Sequence, residues 1–433
     1  MFVQRCINCE SEFPLDERMY VCSQCSDLLD VERREPLGQS AEELRALWLE
    51  RLKSREARDR SGVWRFREFL PFGSADVVVS LGEGNTPLYD APRSADYCGL
   101  SSLKLKHQGN NPTGSFKDTG MTVAVTQALK LGMRLVACAS TGNTAASLAA
   151  YAARARILCA ILVPEGQVSD AKLAQALDYG AKVLEIEGNF DVCMRVIQEL
   201  AEQSSLYLVN SINPFRIEGQ KTVAFELAEQ LDWNVPDHLV VPGGNLGNSS
   251  AFGKGFRELL SHGFTRKQPR ISVIQAEGAA PFARFAQHCD SEFVHEKHPH
   301  TLASAIKIGA PVSWKKAWRA VRETGGQVIT VTEQEIADAK AMIGRDGVGC
   351  EPASATTVAG IRKLVGDGAI GKDEKVVAVL TGHVLKDTDY VIKYHNQTLA
   401  TENGEKIRGT FANSIMRVAA RSCAIENALK SLF

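Results

Sequence analysis

Gly109-Asn110-Asn111-Pro112-Thr113-Gly114-Ser115-Phe116-Lys117-Asp118 is the stretch whose reading decides the fold. It follows a β-rich run, SLKLKH at 102–107, and opens a run with helical spacing over 117–131. A lysine at a helix N-terminus faces the positive end of the macrodipole, which disfavours its cation. Such a lysine suits use as an imine rather than as an ammonium. The plain alternative is a turn and helix cap with a solvated lysine. Strand, glycine-bearing turn and helix in that order are the unit of a parallel α/β sheet, where ligand sites collect at the carboxyl ends of strands.

The same unit recurs outward from this point. Apolar β-rich runs are expected as strands at 77–81, 102–107, 135–140, 157–164, 182–187, 206–210, 238–244, 270–277, 328–332 and 375–382. Helical runs are expected at 117–131, 143–154, 169–179, 190–203, 219–231, 248–261, 333–344 and 353–365. The alternation predicts parallel sheets covered on both faces. Some 280 residues of it exceed one core, so the fold class is α/β with two parallel-sheet domains. Upstream, Ser40 and Glu43 make a capping box for a helix over 40–60, and 62–71 reads as a connector. Residues 1–34 are polar and turn-rich, with too few apolar residues for a core of their own. The 396–433 tail carries an amphipathic stretch.

Three more turns of unusual composition fall between a strand and a helix or just after a strand. Ser140-Thr141-Gly142-Asn143-Thr144 offers hydroxyls and free N–H groups at a helix start, suited to a carboxylate. Pro242-Gly243-Gly244-Asn245-Leu246-Gly247-Asn248 lets backbone amides wrap a phosphate. It fits neither the Walker nor the dinucleotide glycine pattern, which weakens ATP and NAD readings. Thr381-Gly382-His383-Val384-Leu385-Lys386-Asp387 follows the last strong strand.

Composition narrows the class further. The chain has 433 residues, 44% hydrophobic and 23% charged, with 50 Lys+Arg against 51 Asp+Glu. A near-neutral balance removes the footprint of a general nucleic-acid binder. No apolar run reaches the roughly 18 residues of a membrane span, and MFVQRCINCE is no secretory signal, so a cytoplasmic protein without membrane partners is expected. Of 11 cysteines, four form two C-x-x-C pairs, Cys6/Cys9 and Cys22/Cys25. Separated by 12 residues, the pairs fit a Cys₄ structural zinc site, a metal-free vestige being the alternative. Single cysteines such as Cys138 and Cys159 read as small core residues. His288, His295, His298 and His300 read as a solvated loop, and His383 as loop support.

Taken together, NPTGSFKD, STGNTAAS, GGNLGN and TGHVLKD resemble the signature segments of the threonine synthase family. SINPFR, EGQKT, TLASAIKIG and Glu351-Pro352-Ala353-Ser354 extend the resemblance over about Gly82–Lys386. Thr119, Val384 and Asn110 depart from the family's usual arginine, glycine and apolar residue. The resemblance implies a fold type II, tryptophan synthase β-like enzyme that uses pyridoxal 5′-phosphate. Its reaction converts O-phospho-L-homoserine and water to L-threonine and phosphate. Lys117 is then the Schiff-base lysine and proton shuttle. Asn143 is assigned the cofactor's 3′-oxygen. Gly244, Asn245, Leu246, Gly247 and Asn248 are assigned its phosphate, and Thr381 its pyridine nitrogen. A hydroxyl at that nitrogen, unlike a carboxylate, is expected not to favour its protonated form.

Ser140, Thr141 and Thr144 would hold substrate carboxylate or phosphate, and Ser211, Arg216 and Asn245 the substrate phosphate. The implied organisation is a zinc-ribbon-like segment over 1–34 and a linker helix over 35–71. A large cofactor-binding domain spans 72–117 and 211–395, a small domain 118–210, and an extension 396–433. A homodimer is expected. Cysteate synthase or a dehydratase on the same scaffold is the nearest alternative, and a silent zinc-ribbon interaction protein a more distant one. A dehydratase has no need of a distal phosphate pocket, so Ser211 and Arg216 count against it.

Overall fold

The computed structural model describes residues 1–433 except 167–169, 189, 204–205, 289–291, 414 and 431–433, along with all but the side chains of 170–172 and 191. Its strands, in chain order, are β1 Phe2–Cys6, β2 Glu12–Phe13, β3 Leu29–Arg33, β4 Leu88–Asp90, β5 Leu103–His107, β6 Leu135–Ala139 and β7 Leu158–Pro164. They continue with β8 Lys182–Ile186, β9 Leu206–Leu208, β10 His238–Pro242, β11 Arg270–Ala276, β12 Val328–Val331 and β13 Val376–Leu380.

Two sheets carry the body. One has six strands in the order β12-β11-β10-β13-β5-β4, and the other has four in the order β8-β7-β6-β9. All neighbours are parallel except β4, which runs antiparallel to β5 at the edge. Val376–Leu380 is buried at every residue, as is His238–Pro242, as expected of strands covered on both faces.

Registry sets the site. Leu380 pairs with His107, and Val240 with Ala378, so the turns after β5, β13 and β10 leave adjacent strands at one carboxyl edge. In the smaller sheet β6 pairs with β9, which sets the turn after Ala139 beside the turn after Leu208. Asn210 closes this pair, accepting from Ala139 N–H through Oδ1 and donating to Ala139 O through Nδ2, both at 3.0 Å. The helix Pro214–Gln230 packs on the helix Lys117–Lys130 at close range. A Cβ on Gly120 would meet Arg216 O at 2.7 Å, so glycine there is what lets the two backbones approach.

Three expectations need correction. Residues 77–81 form no strand: Val79 N–H instead donates to Thr126 Oγ1 at 2.9 Å, an alternative for which β-propensity alone gives no warning. The stretch 62–71 is no mere connector. It holds a short 3₁₀ helix, Trp64–Phe69, whose Phe66 and Phe69 pack with Trp48, Phe225 and Phe264 in one aromatic cluster. Residues 1–34, as expected, build no large core of their own: they make a three-stranded antiparallel sheet, β2-β1-β3, whose Val31 enters the main core. The helix expected from 219 begins at Pro214, capped by Asn213, whose Oδ1 accepts from Phe215 N–H at 3.0 Å.

The Ser40–Glu43 capping box is present on the helix Ala41–Lys53. In the tail, the helix Ser422–Lys430 has no buried residue, and the final three residues of the expected amphipathic stretch lie outside the described residues. Among the described residues, no helix is long and apolar enough to cross a membrane.

Candidate active site

Lys117 is the first residue of its helix, set by the turn that leaves β5. Phe116 N–H donates to Thr381 O at 2.9 Å, which ties this turn to the one after β13. The Lys117 ammonium lies 4.0 Å from the Phe116 ring centroid. Burial, helped by the Arg216 guanidinium and opposed by Glu351, pushes the Lys117 amine down to about 7. At neutral pH a substantial fraction is therefore the free base. Asp118 braces the turn, with Oδ2 accepting from Thr113 N–H at 2.7 Å and Oδ1 from the Thr113 and Ser147 hydroxyls. Burial pushes the Asp118 carboxyl up to about 6.

Asn143 opens the helix Asn143–Ala155 and sends Nδ2–H to Glu351 Oε2 at 2.9 Å. The other oxygen of the same carboxylate accepts from Thr381 Oγ1 at 3.0 Å. Glu351 stands at the N-cap position of the helix Pro352–Gly366 without a side-chain capping bond, and its own N–H donates to Gly382 O at 3.0 Å. A Cβ on Gly382 would sit 2.3 Å from the Glu351 carboxyl carbon, so glycine at 382 is what leaves room for it. Lys117, Asn143 and Thr381 thus converge on Glu351, which faces both Lys117 and Lys386. The role of Glu351 escaped sequence reasoning. Its signal was an acid immediately before Pro352 at a helix start, a place where an acid also serves simply as a cap.

The glycine-rich turn after β10 is built for an anion. Leu246 adopts a left-handed conformation with φ 65° and leads into the helix Gly247–Ser261. Asn245 O accepts from Ser313 N–H at 3.1 Å, which anchors the turn from outside. Asn248 is buried with both side-chain polar atoms unpartnered, and Gln220 Oε1, close by Gly247, is unpartnered too. Buried polar atoms without partners are rare and call for an explanation. The phosphate expected at this helix N-terminus would supply one.

Arg216 is 3% exposed. Its Nη1 reaches Val209 O at only 3.4 Å, and its Nε has no partner. No carboxylate among the described residues pairs with it, and burial pulls its guanidinium down to about 10. Ser140, Thr141, Thr144 and Ser211 are half-buried at the carboxyl edge of β6 and β9. Ser140 Oγ accepts from Gly142 N–H at 3.2 Å. His383 supports its turn by accepting from Leu385 N–H, whereas His288, His295, His298 and His300 are exposed.

In the amino-terminal segment, the thiols of Cys6, Cys9, Cys22 and Cys25 all lie within 4.8 Å of one another. Three pairs are separated by 3.4–3.5 Å. A tetrahedral zinc with Zn–S of about 2.3 Å spaces thiolates by about 3.8 Å. Backbone N–H groups of Asn8 and Gln24 point at Cys6 and Cys22 sulfurs at 3.4 Å. The donor set is that of a closed structural site.

A family model described as pyridoxal-phosphate dependent enzyme matches residues 79–382. A threonine synthase of Methanocaldococcus jannaschii is 45% identical over 403 residues, covering 92% of this chain and 96% of the relative. One from Methanosarcina acetivorans is 47% identical over 410 residues, covering 94% and 98%. One from Mycobacterium leprae is 46% identical over 330 residues, covering 76% and 89%. Among solved structures, a fungal L-serine ammonia-lyase from Rhizomucor miehei aligns at TM-score 0.63 and 20% identity, covering 73% of this chain and all of that one. A processed threonine deaminase from Solanum lycopersicum aligns at TM-score 0.60 and 21% identity, covering 81% and 86%. At that identity these two speak for the fold.

Proposed function

The chain belongs to the threonine synthases of the pyridoxal-phosphate dependent enzyme family, and from that premise we propose how its own residues carry the reaction. It is a lyase that converts O-phospho-L-homoserine and water to L-threonine and phosphate. When bound, pyridoxal 5′-phosphate supplies an electron sink conjugated to the substrate's Cα.

Gly244, Asn245, Leu246, Gly247 and Asn248 hold the cofactor phosphate, a role supported by the unpartnered Asn248 amide and the helix N-terminus beneath it. Asn143 and Thr381 hold the two polar edges of its ring. Lys117 would hold the cofactor and would take and return protons at the substrate's Cα and its neighbours, for which an amine near neutrality is suited. Arg216, Ser211 and Asn245 bind the substrate phosphate, and Ser140, Thr141 and Thr144 its carboxylate or phosphate. Arg216 is the observation that carries the phosphate assignment: a buried guanidinium with no acid partner among the described residues. The boundaries at 118 and 210 divide the body into a small and a large domain around this cleft.

Cys6, Cys9, Cys22 and Cys25 hold one structural zinc, with four thiolates leaving no open position for chemistry. The working form is a homodimer of the cytoplasm. The decisive assay compares phosphate release from O-phospho-L-homoserine with that from phosphoserine plus sulfite. Threonine formation from the first supports the assignment, and preference for the second reassigns the substrate to a cysteate synthase reaction.

A further inference from the structure

We propose that the amino-terminal ribbon is a working part of the substrate-phosphate site: Tyr20, by holding the free edge of β9, positions the loop that carries Ser211 and the helix that carries Arg216. The proposal rests on the assignment of those two residues to the substrate phosphate above.

β9 is an edge strand: in the order β8-β7-β6-β9 it pairs with β6 alone. Backbone groups on the open side of an edge strand need partners from elsewhere. Val209 N–H turns to Ala137 O at 2.9 Å, so Leu206 and Leu208 present theirs outward. The ribbon meets them in place of a further strand. Leu208 N–H donates to the Tyr20 hydroxyl at 2.7 Å, and Arg18 Nη1 donates to Leu206 O at 3.2 Å. The Tyr20 ring packs on Tyr207, with centroids 5.9 Å apart. The grip continues into the site. Leu208 O accepts from Asn213 Nδ2–H at 2.8 Å, and Asn213 caps the helix Pro214–Gln230 that bears Arg216. The next carbonyl, Val209 O, is the one Arg216 Nη1 reaches at 3.4 Å, and Ser211 follows two residues later. Leu208 is thus held by the ribbon on its N–H and by the Arg216 helix on its carbonyl.

Tyr20 itself stands on a fixed base. Gln4 Nε2 donates to Pro14 O at 2.8 Å and to Glu17 O at 2.9 Å, which pins the turn before Tyr20 to β1. Gln127 Nε2, on the Lys117 helix, donates to Leu15 O at 2.8 Å. On its other side the ribbon is tied to helices of the larger half. Lys316 donates to Leu29 O at 2.7 Å. Lys254, on the helix Gly247–Ser261, bonds both Val31 O and Glu218, two residues beyond Arg216. The ribbon therefore runs from the edge of the smaller sheet to the helices behind both phosphate positions. Slack at Tyr20 becomes slack in Leu208, Asn213 and the phosphate loop. The turn Ser140–Thr144 takes its place from β7 instead, with Ser140 N–H donating to Leu162 O at 3.2 Å. Tyr20 is a positioning residue in this account, since it touches the substrate only through other groups.

The test is Tyr20→Phe, which removes the hydroxyl and keeps the ring on Tyr207. In the holoprotein, KM and kcat for O-phospho-L-homoserine are measured with the inhibition constant of inorganic phosphate. The Kd of L-2-aminobutyrate, which has the amine and carboxylate without a phosphate, is read from the visible band. One neutral hydrogen bond corresponds to about two- to tenfold, so KM and the phosphate constant are expected to rise by about that factor. kcat and the aminobutyrate Kd are expected to stay near wild type. Asn213→Ala should show the same selective loss, and the double variant no more than the larger single loss, because both act through Leu208. Wild-type KM and phosphate inhibition in Tyr20→Phe overturn the proposal. Equal weakening of aminobutyrate overturns it too, since that marks a general loosening, as does full additivity in the double variant. Failure of the underlying assignment is distinct: Arg216→Met would then keep the wild-type kcat/KM.

Discussion

Arg216 offers the sharpest perturbation, because the substrate-free protein gains nothing from its charge. The guanidinium is buried, faces no carboxylate among the described residues, and has one marginal bond at 3.4 Å. Replacing an unpaired buried cation by an apolar side chain of similar length removes a desolvation cost. Arg216→Met is therefore expected to leave the melting temperature of the substrate-free holoprotein unchanged or raise it.

Turnover should move the other way. A charge-assisted hydrogen bond contributes about 1.5–3 kcal/mol, and the fork makes two, so kcat/KM for phosphohomoserine should fall at least about a hundredfold. Arg216→Lys should recover only part, since a point charge does not reproduce the fork. A second signature follows from the Arg216–Lys117 repulsion: without it the Lys117 amine titrates higher, so the acid limb of residual activity should shift upward in pH. The assay is steady-state phosphate release across pH, with visible absorbance as the control for bound cofactor. Unchanged kcat/KM in Arg216→Met would refute the reasoning, as would a loss matched by loss of cofactor colour.

Lys117→Ala should lose absorbance beyond 400 nm and turnover, while equilibrium dialysis still shows weak cofactor binding through the 244–248 turn. In cofactor-free protein the native state binds fewer protons at Lys117 than the unfolded chain does between about 7 and the ordinary 10.5, so stability should rise with pH across that window; Lys117→Met should flatten the rise in urea titrations. Metal analysis should give about one zinc per chain, and Cys22→Ser should lose it, with a larger fall in melting temperature than in kcat. Asp30→Ala should destabilise by about 3–5 kcal/mol in denaturant unfolding, because it strands the buried Lys316 ammonium that Asp30 pairs at 2.7 Å.

The body strands were legible because burial on both faces leaves unbroken apolar runs, as in VVAVL at 376–380. VVVSL at 77–81 has the same look but its polar groups go to the side chains of Thr122 and Thr126, a tertiary choice that no local pattern records. The amino-terminal sheet was missed for the converse reason. Its strands are short, and β3 is stabilised by partners far along the chain: Lys316 donates to Leu29 O at 2.7 Å, and Lys254 bonds Val31 O. At the site, the turns announced themselves by glycine, hydroxyl and asparagine content. Glu351 did not, since its meaning lies in reaching Asn143 and Thr381, 208 and 30 residues away, and only the folded chain brings those together.

Buried charge separates scaffold from site. Most buried cations have an acid: Lys106 meets Glu226, Arg65 meets Glu229, Lys316 meets Asp30, and Lys254 and Lys221 share Glu218, while Lys340 faces Asp387 only at longer range. In those places a pair recovers in attraction much of what it costs to dehydrate, and together with shared hydrogen bonds it fixes how the elements dock. The ribbon is held this way, since β3 carries Asp30 onto Lys316 of the helix Trp314–Thr324, which starts beside the Asn245 turn. Within the cleft the rule is broken on purpose-built ground. Among the described residues no acid pairs with Arg216, and Lys117 shares the carboxylate of Glu351, at a distance beyond an ion pair, with Lys386. Uncompensated buried positive charge costs stability until an anion arrives, and it then acts with reduced screening. A site that must bind phosphate groups and hold one lysine near neutrality needs that imbalance, and completing the pairs with acids would remove both properties at once.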